Sequence, residues 1–562
     1  MRLIRTRTLE LHEFESSSDG VPPYAILSHT WGDGEITFRD MSIERSKRPT
    51  GKKEYAKIIQ TCRLALAHDL DYAWVDTCCI DKSSSAELSE SINSMFKWYE
   101  NAAVCYVFLF DYVPGEVELG ACRWWTRGWT LQELLAPKNI IFYDAAWNFV
   151  GTKVSLIDSI SKITGIHSEA LSEDHDILAR PVAERMSWAS SRCTTRVEDI
   201  AYCLLGIFDV HIPLLYGEGH MAFRRLQEEI IKRKADLSTF FWNMPLGDSD
   251  RQPYINLFAE SPSAFNQGLF SRRPVPFMFP EFILTNKGVL FSGILSLYQI
   301  RIPGEEGTLP GEKGRKIYGF HLELDDQDFS ARILLRKIAP GIFCRVGRFS
   351  VNRYSYDSRY PLPNSTSSFY ILTDPTPPMI DSMISCRHLT LHVPYDERFC
   401  IADAVPEHLW DATDHTFLLI PRIARAYSDM HQRYSMILAM KILAIVPGTS
   451  LYLVVLCEDN NNGTWGGCRI FPWDQYTEEA NILFSKQNRQ QSILASDFRK
   501  LMPAIASLKN YCQVKVGQRV LEISVSLLRG TIEVMSKQVE VWKMHVRFYG
   551  TLYKGALAAV GH

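Results

Sequence analysis

The stretch that decides the fold runs from residue 104 to 144, where two apolar segments flank a tryptophan-rich one: VCYVFLF at 104–110, RWWTRGWTLQELLAP at 123–137 and NIIFYD at 139–144. Both apolar segments have the length and composition of buried strands. The segment between them predicts a helix that ends before Pro137, because proline cannot continue a helix. Strand, helix and strand in this order indicate a parallel pair joined by a helical crossover.

The same alternation extends toward the N-terminus. Residues 24–29 (YAILSH) and 72–80 (YAWVDTCCI) predict two further buried strands, and apolar residues recur with helical spacing after each of them. Strands that alternate with helices favour a parallel sheet covered on both faces. Ligands of such sheets bind beyond the carboxyl ends of the strands, where we expect Ser28 and Asp76 to emerge.

The tryptophan-rich segment also suggests chemistry. In a continuous helix, Trp125, Trp129 and Glu133 lie at positions i, i+4 and i+8, along one side. Aromatic faces beside a carboxylate hold a flat cationic ring and stabilise positive charge. The same residues fit an alternative, in which the helix is buried for packing and Glu133 lies at its rim.

Composition limits the class of protein. A chain of 562 residues with 46% hydrophobic and 22% charged residues predicts a soluble globular protein of two to four domains. The net charge of −3 gives no basic field for a nucleic acid, and the N-terminus has no secretory signal. The apolar run 436–457 is interrupted by Lys441 and by Pro447, which predicts two strands around a turn and no transmembrane segment. We therefore expect a cytoplasmic protein without a nucleic-acid partner.

Changes of pattern along the chain predict four parts. These are a polar lead (1–20), an α/β domain (21–151), a helical extension (152–245) and a separately folding β-rich domain (246–562), whose short strands favour a sandwich or a barrel. The chain has no Walker loop and no zinc-ligand array, so we expect no metal and no required cofactor. His388 and His392 share a strand face but have no third ligand in view.

Four strings of the α/β part, taken together, resemble the fungal HET (heterokaryon incompatibility) domain family. The strings are YAILSHTWG at 24–32, WVDTCCIDK at 74–82, INSMFKWY at 92–99 and RGWTLQELLAP at 127–137. The resemblance implies a fungal protein that acts in non-self recognition and programmed cell death when fungal individuals fuse. It also implies self-association of the domain and a protein partner in recognition.

HET domains are in turn similar to TIR domains, which have a flavodoxin-like α/β fold. Residues 129–134 (WTLQEL) look like the TIR motif whose glutamate cleaves NAD, and this resemblance implies that Glu133 is catalytic. On the same basis Ser28 matches the serine that ends the first TIR strand. The resemblance thus makes NAD a candidate substrate, with Ser28 and Asp76 as candidate contacts at the edge of the sheet. The loop after Ser28 departs from the TIR sequence, so nucleotide contacts there are not carried over. Trp31 and Trp129 are candidate contacts on chemical grounds, since an aromatic face can stack on the pyridinium ring.

Two hypotheses about activity follow, of which the first is the leading one, and a degenerate copy with neither activity is a third. The first is a death effector that hydrolyses NAD, since cleavage of the nicotinamide–ribose bond develops positive charge that a carboxylate stabilises. The second is a non-enzymatic signalling module that recruits death partners. Exposed aromatic residues around Glu133 in an open cleft would favour the enzyme, whereas a closed tryptophan cluster would favour the module.

Overall fold

The structure is a computed structural model. It describes residues 1–14, 20–172, 176–243, 254–265, 281–292, 298–300, 317–323, 329–339, 341–346, 350–353, 359–361, 368–385, 391–394, 396, 398–411, 415–417, 436–446, 449–459, 465–485, 488, 493–494, 498–500, 502–516, 519–534 and 537–549. Within these residues no helix combines the length and the apolar character needed to cross a membrane. The expected histidine pair lies partly outside them, because His388 is not described.

The first part of the chain alternates strands with helices, as its sequence predicts. The strands are β1 (Arg2–Arg5), β2 (Leu11–Glu13), β3 (Tyr24–His29), β4 (Tyr72–Trp74), β5 (Val104–Phe108), β6 (Ile140–Tyr143) and β7 (Phe149–Thr152). The α-helices are α1 (Phe38–Ser42), α2 (Tyr55–Ala67), α3 (Asp76–Cys79), α4 (Ser85–Glu100) and α5 (Thr130–Leu135). Short 3-10 helices cover Arg45–Lys47, Leu119–Ala121 and Arg123–Thr126.

In the described part of the chain these strands form one seven-stranded sheet, in the order β2-β1-β4-β3-β5-β6-β7. The central strands β4, β3, β5 and β6 are parallel to their neighbours within this group. The outer strands β1, β2 and β7 pair antiparallel. The expected parallel sheet is thus present at the centre, with antiparallel strands at both edges.

Helices cover both faces of this sheet. On one face, α2 packs against β3 and β4, and His68 at its end lies 2.6 Å from the Tyr106 hydroxyl of β5. On the other face, Tyr99 of α4 packs edge-to-face on Trp74 and donates a hydrogen bond of 3.0 Å to the Leu27 carbonyl. Every side chain of β3 is buried, because the strand lies between two parallel neighbours and under both layers of helices.

Two expectations about this region need correction. The polar lead was expected to lie outside the domain, but β1 and β2 lie within it and extend the sheet, since Ile4 pairs with Ala73 of β4. The strand expected over residues 72–80 ends at Trp74, and the next residues form α3. The apolar run is therefore buried partly as a strand and partly as a helix, a distinction that a short run of this kind does not encode.

The predicted helical extension is present. It contains α6 (Ile157–Thr164), α7 (Ser168–Leu171), α8 (Val182–Ser187), α9 (Asp199–Tyr202), α10 (Leu205–Phe208) and α11 (Met221–Arg233), with 3-10 helices at Ile177–Ala179 and Leu237–Phe240. The turn before α11 contains Gly217 and Gly219, which have φ angles of +107° and +60°. Their N–H groups both donate to the Glu198 carboxylate, at 2.8 and 3.1 Å, so the glycines form a turn between helices.

The remainder of the chain is rich in strands, as expected. The strands are β8 (Phe282–Thr285), β9 (Gly288–Phe291), β10 (Tyr298–Ile300), β11 (Ile317–Glu323), β12 (Phe329–Ala339), β13 (Ile342–Arg345), β14 (Ser350–Arg353), β15 (Arg359–Pro361), β16 (Phe369–Ile371), β17 (Leu391–His392), β18 (Phe399–Val405), β19 (Trp410–Asp411), β20 (Thr416–Phe417), β21 (Met436–Val446), β22 (Thr449–Asp459), β23 (Trp465–Pro472), β24 (Ile493–Leu494), β25 (Tyr511–Val516), β26 (Arg519–Val534) and β27 (Lys537–Tyr549). The helices among them are α12 (Pro377–Ser385), α13 (Thr477–Leu483) and α14 (Pro503–Ala506), with 3-10 turns at Pro262–Phe265, Glu407–Leu409 and Trp473–Gln475.

These strands form three sheets in the described part of the chain. The first has the order β15-β10-β11-β12-β13-β16-β9-β8, with β14 beside β12; the second is β19-β20-β17-β27-β26-β25; the third is β18-β21-β22-β23, with β24 beside β21. The second and third sheets share one apolar core, which gives the sandwich that the sequence suggested. The predicted pair of strands at 436–457 is confirmed, since β21 and β22 are antiparallel neighbours.

The largest core does not follow the expected domain boundaries. One continuous cluster of buried apolar residues runs from Leu3 through the helical extension to Ile371 of β16. The extension and the first of the three β sheets are thus packed together and do not form separate cores. The boundary expected near residue 245 is crossed by Arg345 of β13, which donates from Nη1 to the Phe240 carbonyl at 2.8 Å and from Nη2 to the Trp242 carbonyl.

Replacement of Arg345 by methionine should therefore destabilise the first half of the chain. The guanidinium is fully buried and lies 4.1 Å from the Trp242 ring, so its loss leaves two buried carbonyls without their donors. We expect a loss of about 3 kcal/mol in the free energy of unfolding, measured by urea denaturation. The control is Arg529→Met, whose side chain is 60% exposed and should change stability by less than about 0.5 kcal/mol. Equal effects of the two substitutions would contradict the assigned role.

Candidate functional site

The candidate site lies at the carboxyl end of β3, where a strand and a helix that are distant in sequence meet. The Ser28 hydroxyl donates a hydrogen bond to Oε2 of Glu133, which is 105 residues away in α5. The same Ser28 oxygen accepts a hydrogen bond of 2.8 Å from the Trp124 indole. The structure therefore brings together Ser28 and Glu133, two of the residues selected from the sequence.

The Glu133 carboxyl is largely removed from water, since the residue is only 7% exposed. This burial raises its pKa to about 8, while the hydrogen bond from Ser28 and the charges of Arg127 and Arg192 oppose the increase. The negative charge of Asp76 acts in the same direction as burial. Near neutral pH the group is mainly protonated in this conformation.

Two tryptophans close the site from the side of the helices. Trp124 and Trp125 are 1% and 4% exposed, and their rings pack edge-to-face with centroids 4.8 Å apart. Both also pack on Phe142 of β6. The environment of Glu133 is thus a closed aromatic cluster, and no open cleft surrounds the carboxyl group.

The expected continuous helix from Trp125 to Glu133 is broken. Trp125 lies in the 3-10 helix Arg123–Thr126, the chain is extended at Arg127, and α5 begins only at Thr130. Trp129 precedes α5, is half-buried, and its indole donates to Asp199 of the helical extension at 3.4 Å. Because of this break, Trp125, Trp129 and Glu133 do not lie along one side of a single helix, as the proposed binding of a cationic ring by all three required.

Trp31 and Asp76 lie together at the carboxyl ends of β3 and β4. The Trp31 indole is 43% exposed and donates to Oδ2 of Asp76 at 2.8 Å. One face of its ring is covered by Lys82, whose Nζ atom lies 3.5 Å from the ring centroid. The Trp31 ring is therefore an aromatic surface that already holds a cation.

A buried charged network continues from this point, and the sequence analysis assigned no role to most of its members. His29 lies between Asp76, 3.9 Å away, and Glu35, 3.6 Å away. Burial alone would raise the pKa of Glu35, but the proximity of His29 and the hydrogen bonds from Gly32 and Lys57 lower it to about 2. Carboxylates spread over unrelated loops leave no periodic signal, so Asp76 is the member of this network that the sequence predicted.

Arg192 is a second contributor that the sequence analysis missed. It belongs to the charged segment 191–199, which on sequence alone indicates a solvated helix entrance. The structure instead buries Arg192 against the start of α5, where its Nη1 atom donates to the Thr130 hydroxyl at 2.9 Å. Across the described residues, no group of three or more His, Cys, Asp and Glu side chains is arranged to hold a metal ion.

Comparison with known proteins finds a described family for part of this sheet. Residues 24–115 match the family model described as heterokaryon incompatibility protein (HET), so the first part of the chain carries a HET domain. Residues 221–274 match a domain of unknown function, DUF8212.

A particular relative supports the same class. The chain is 43% identical over 247 residues to the vegetative incompatibility protein HET-E-1 of Podospora anserina. The match covers 42% of this chain and 18% of the relative, so the chain spans less than a fifth of the relative's length. No solved structure matches the chain.

The raised pKa of Glu133 predicts how stability depends on pH. Between the ordinary value of 4.5 and about 8, the folded protein binds the proton more tightly than the unfolded chain, so stability falls as the pH rises through this range. Glu133→Gln has no proton to lose. We expect the ratio of folded to unfolded protein in the variant, relative to that in wild type, to increase by up to roughly tenfold per pH unit across that range. Urea denaturation of both proteins from about pH 5 to pH 9 measures this gain, and a constant difference would show that Glu133 is ionised throughout.

Proposed function

We propose that the protein acts in heterokaryon incompatibility, as an effector of programmed cell death on non-self recognition. The HET domain match and the identity with a vegetative incompatibility protein support this role. The HET domain is then the part that produces the death signal, and the β-rich remainder holds it.

The sheet supports a flavodoxin-like, TIR-like identity for the HET domain. Numbered by their own order in the chain, the central parallel strands β3, β4, β5 and β6 are arranged 2-1-3-4, which matches the start of the flavodoxin-like order. The direction of crossover changes between β3 and β5, where ligands of such sheets bind. Ser28 of β3 lies at this point. The antiparallel β7 occupies the place where a fifth parallel strand would lie, and this is a departure from the flavodoxin-like order.

The chemical activity that we propose is NAD hydrolysis, and the observation that carries it is the contact between Ser28 and Glu133. In the reaction, the bond between the nicotinamide nitrogen and the ribose carbon breaks, and nicotinamide leaves with the bonding electrons. Water adds to the ribose carbon and releases a proton to the solvent. The ribose develops positive charge as the bond breaks. An ionised Glu133 carboxylate beside that carbon stabilises this charge, and Ser28 orients the carboxylate through its hydrogen bond.

The proposed activity requires the site to open. With Glu133 7% exposed behind Trp124 and Trp125, a dinucleotide has no path to the carboxyl group in the closed conformation. We propose that self-association of HET domains, promoted by a recognition partner, moves the tryptophan-bearing segment away from β3. Trp31, which is exposed and hydrogen-bonded to Asp76, then offers an aromatic face and a carboxylate to the positively charged nicotinamide ring.

The second candidate function is a non-enzymatic module that recruits death partners. The closed tryptophan cluster favours it, because a packed aromatic environment around Glu133 has the features of a structural core. In this case the Ser28–Glu133 contact stabilises the fold and no chemistry depends on it.

Expression of the full chain in a heterologous cell separates the two candidates. With wild type, we expect NAD to fall and cells to die, and Glu133→Gln should reduce NAD consumption by about a hundredfold or more while the protein stays folded. The control is Glu116→Gln, an exposed carboxylate in the loop after β5, which should behave as wild type. Cell death without NAD loss in both wild type and the Glu133→Gln variant would support the recruitment module.

The proposed chemistry also predicts a pH profile. The carboxylate must be ionised to stabilise the ribose cation, and burial raises the pKa of Glu133 to about 8. We expect the rate of NAD hydrolysis by the purified full chain to increase from about pH 6 to pH 9, with a midpoint near 8 at limiting NAD. A rate that decreases over this range would indicate that Glu133 acts in its protonated form.

A further inference from the structure

The residues before α5 are held by the helical extension through their backbone. Thr126 accepts a hydrogen bond of 2.7 Å from the Cys193 N–H, and the Gly128 N–H donates to the Cys193 carbonyl at 2.8 Å. Arg127 and Cys193 thereby form a parallel β-bridge. We call residues 126–129 the hinge loop. Because it leads directly into α5, the position of the extension affects the position of Glu133.

Side chains of the extension lie close to Gly128. A Cβ atom on Gly128 would lie 2.5 Å from Cγ2 of Thr194 and 3.1 Å from the Cys203 sulfur. A distance of 2.5 Å is far below van der Waals contact, so a larger residue would require a shift of Thr194 or of the hinge loop.

Arg192 adds a side-chain connection at the same place. Its Nη1 atom donates to the Arg127 carbonyl at 2.8 Å and to the Thr130 hydroxyl at 2.9 Å, and its Nε atom donates to the Trp188 carbonyl at 3.3 Å. The residue is 7% exposed. One guanidinium thus fixes both the hinge loop and the first residue of α5.

Among the residues that the structure describes, the charge of this guanidinium has no direct counter-ion. Its acceptors are carbonyl and hydroxyl oxygens, and no carboxylate of the described residues forms an ion pair with it. Burial lowers the pKa of Arg192 to about 10, and the nearby groups that oppose this decrease are Cys203 and Glu133. Glu133 is therefore the carboxylate whose negative charge the buried guanidinium stabilises.

We propose that Arg192 is a positioning residue of the Glu133 site, which fixes the start of α5 and favours the ionised carboxylate that the reaction requires. The catalytic role of Glu133 is part of the proposed function, and the inference about Arg192 rests on it. The extension is then part of the site, and the HET domain alone is incomplete.

Other groups around Glu133 also affect its ionisation. They are Asp76 of α3, Tyr99 of α4, Cys105 of β5, Arg127 of the hinge loop and Cys203 of the extension. Asp76 disfavours a second negative charge, and burial raises the pKa values of Tyr99, Cys105 and Cys203, which keeps these groups neutral. Only Arg127 and Arg192 supply positive charge in this set, and Arg192 is the more deeply buried of the two.

The test measures the cost of ionising Glu133 in the purified full chain, without NAD. Urea denaturation from about pH 5 to pH 10 is carried out for wild type, Arg192→Gln and Arg192→Lys, each with and without Glu133→Gln. The difference between the paired curves isolates Glu133. Arg196→Met is the matched control, because it removes an exposed guanidinium of the same segment.

We expect Arg192→Gln to raise the pH midpoint of the Glu133 titration by about one pH unit or more, because a neighbouring positive charge is lost. Arg192→Lys keeps the positive charge, so the pH midpoint of its Glu133 titration should stay closer to wild type than that of Arg192→Gln. An unchanged midpoint in Arg192→Gln, or an equal shift in Arg196→Met, would overturn the proposal.

A second variant serves if Arg192→Gln does not fold. Gly128→Ala requires a shift of Thr194 or of the hinge loop without changing any charge, and Thr194→Ser removes the methyl group that it meets. If Gly128→Ala raises the pH midpoint of the Glu133 titration and the added Thr194→Ser partly reverses this increase, the proposal is supported. An unchanged midpoint in Gly128→Ala would overturn it.

The NAD assay then separates this inference from the proposed function. If wild type hydrolyses NAD, the midpoint of its pH profile should move upward in Arg192→Gln together with the stability midpoint, and a profile that stays in place overturns the positioning role. If wild type does not hydrolyse NAD, the proposed function fails. The stability titration still shows in that case whether Arg192 favours ionised Glu133.

Discussion

The N-terminal sheet depends on the complete burial of β3. Its six side chains, from Tyr24 to His29, are enclosed by two parallel neighbours and two layers of helices, so the strand has one register and one direction available to it. The Ser28 hydroxyl then lies in the interior and needs partners. The Trp124 indole and the Glu133 carboxyl supply them, and the position of α5 follows from this requirement.

The sequence predicted the centre of the sheet because its signals are local. Residues 24–29, 104–108 and 140–143 are apolar runs of strand length, and each is a strand in the structure. Residues 76–79 were expected as a strand and form a helix, since a short apolar run suits either structure when both faces are buried. The strands at 2–5 and 11–13 were missed because short edge strands carry little periodic pattern.

The candidate site could be predicted only in part. Ser28 and Glu133 were selected through a family resemblance, and the structure places them in contact. The alignment of Trp125, Trp129 and Glu133 assumed one continuous helix, but the hinge loop forms backbone hydrogen bonds with Cys193 and interrupts it. Arg192 and Gly128 matter through contacts with residues distant in sequence, and nothing in their immediate neighbours distinguishes them from an ordinary arginine and an ordinary glycine.

The close approach at Gly128 has a consequence for chimaeric proteins. The Thr194 and Cys203 side chains lie too close for an added Cβ atom to fit without a shift, so the hinge loop and the extension must be compatible with each other. A chimaera with residues 21–151 of one relative and the helical extension of another would combine a hinge loop and an Arg192 segment whose side chains need not fit each other. The apolar core that includes this contact continues to Ile371 of β16, so an exchange of parts should preserve the fold only when the crossover lies beyond that core.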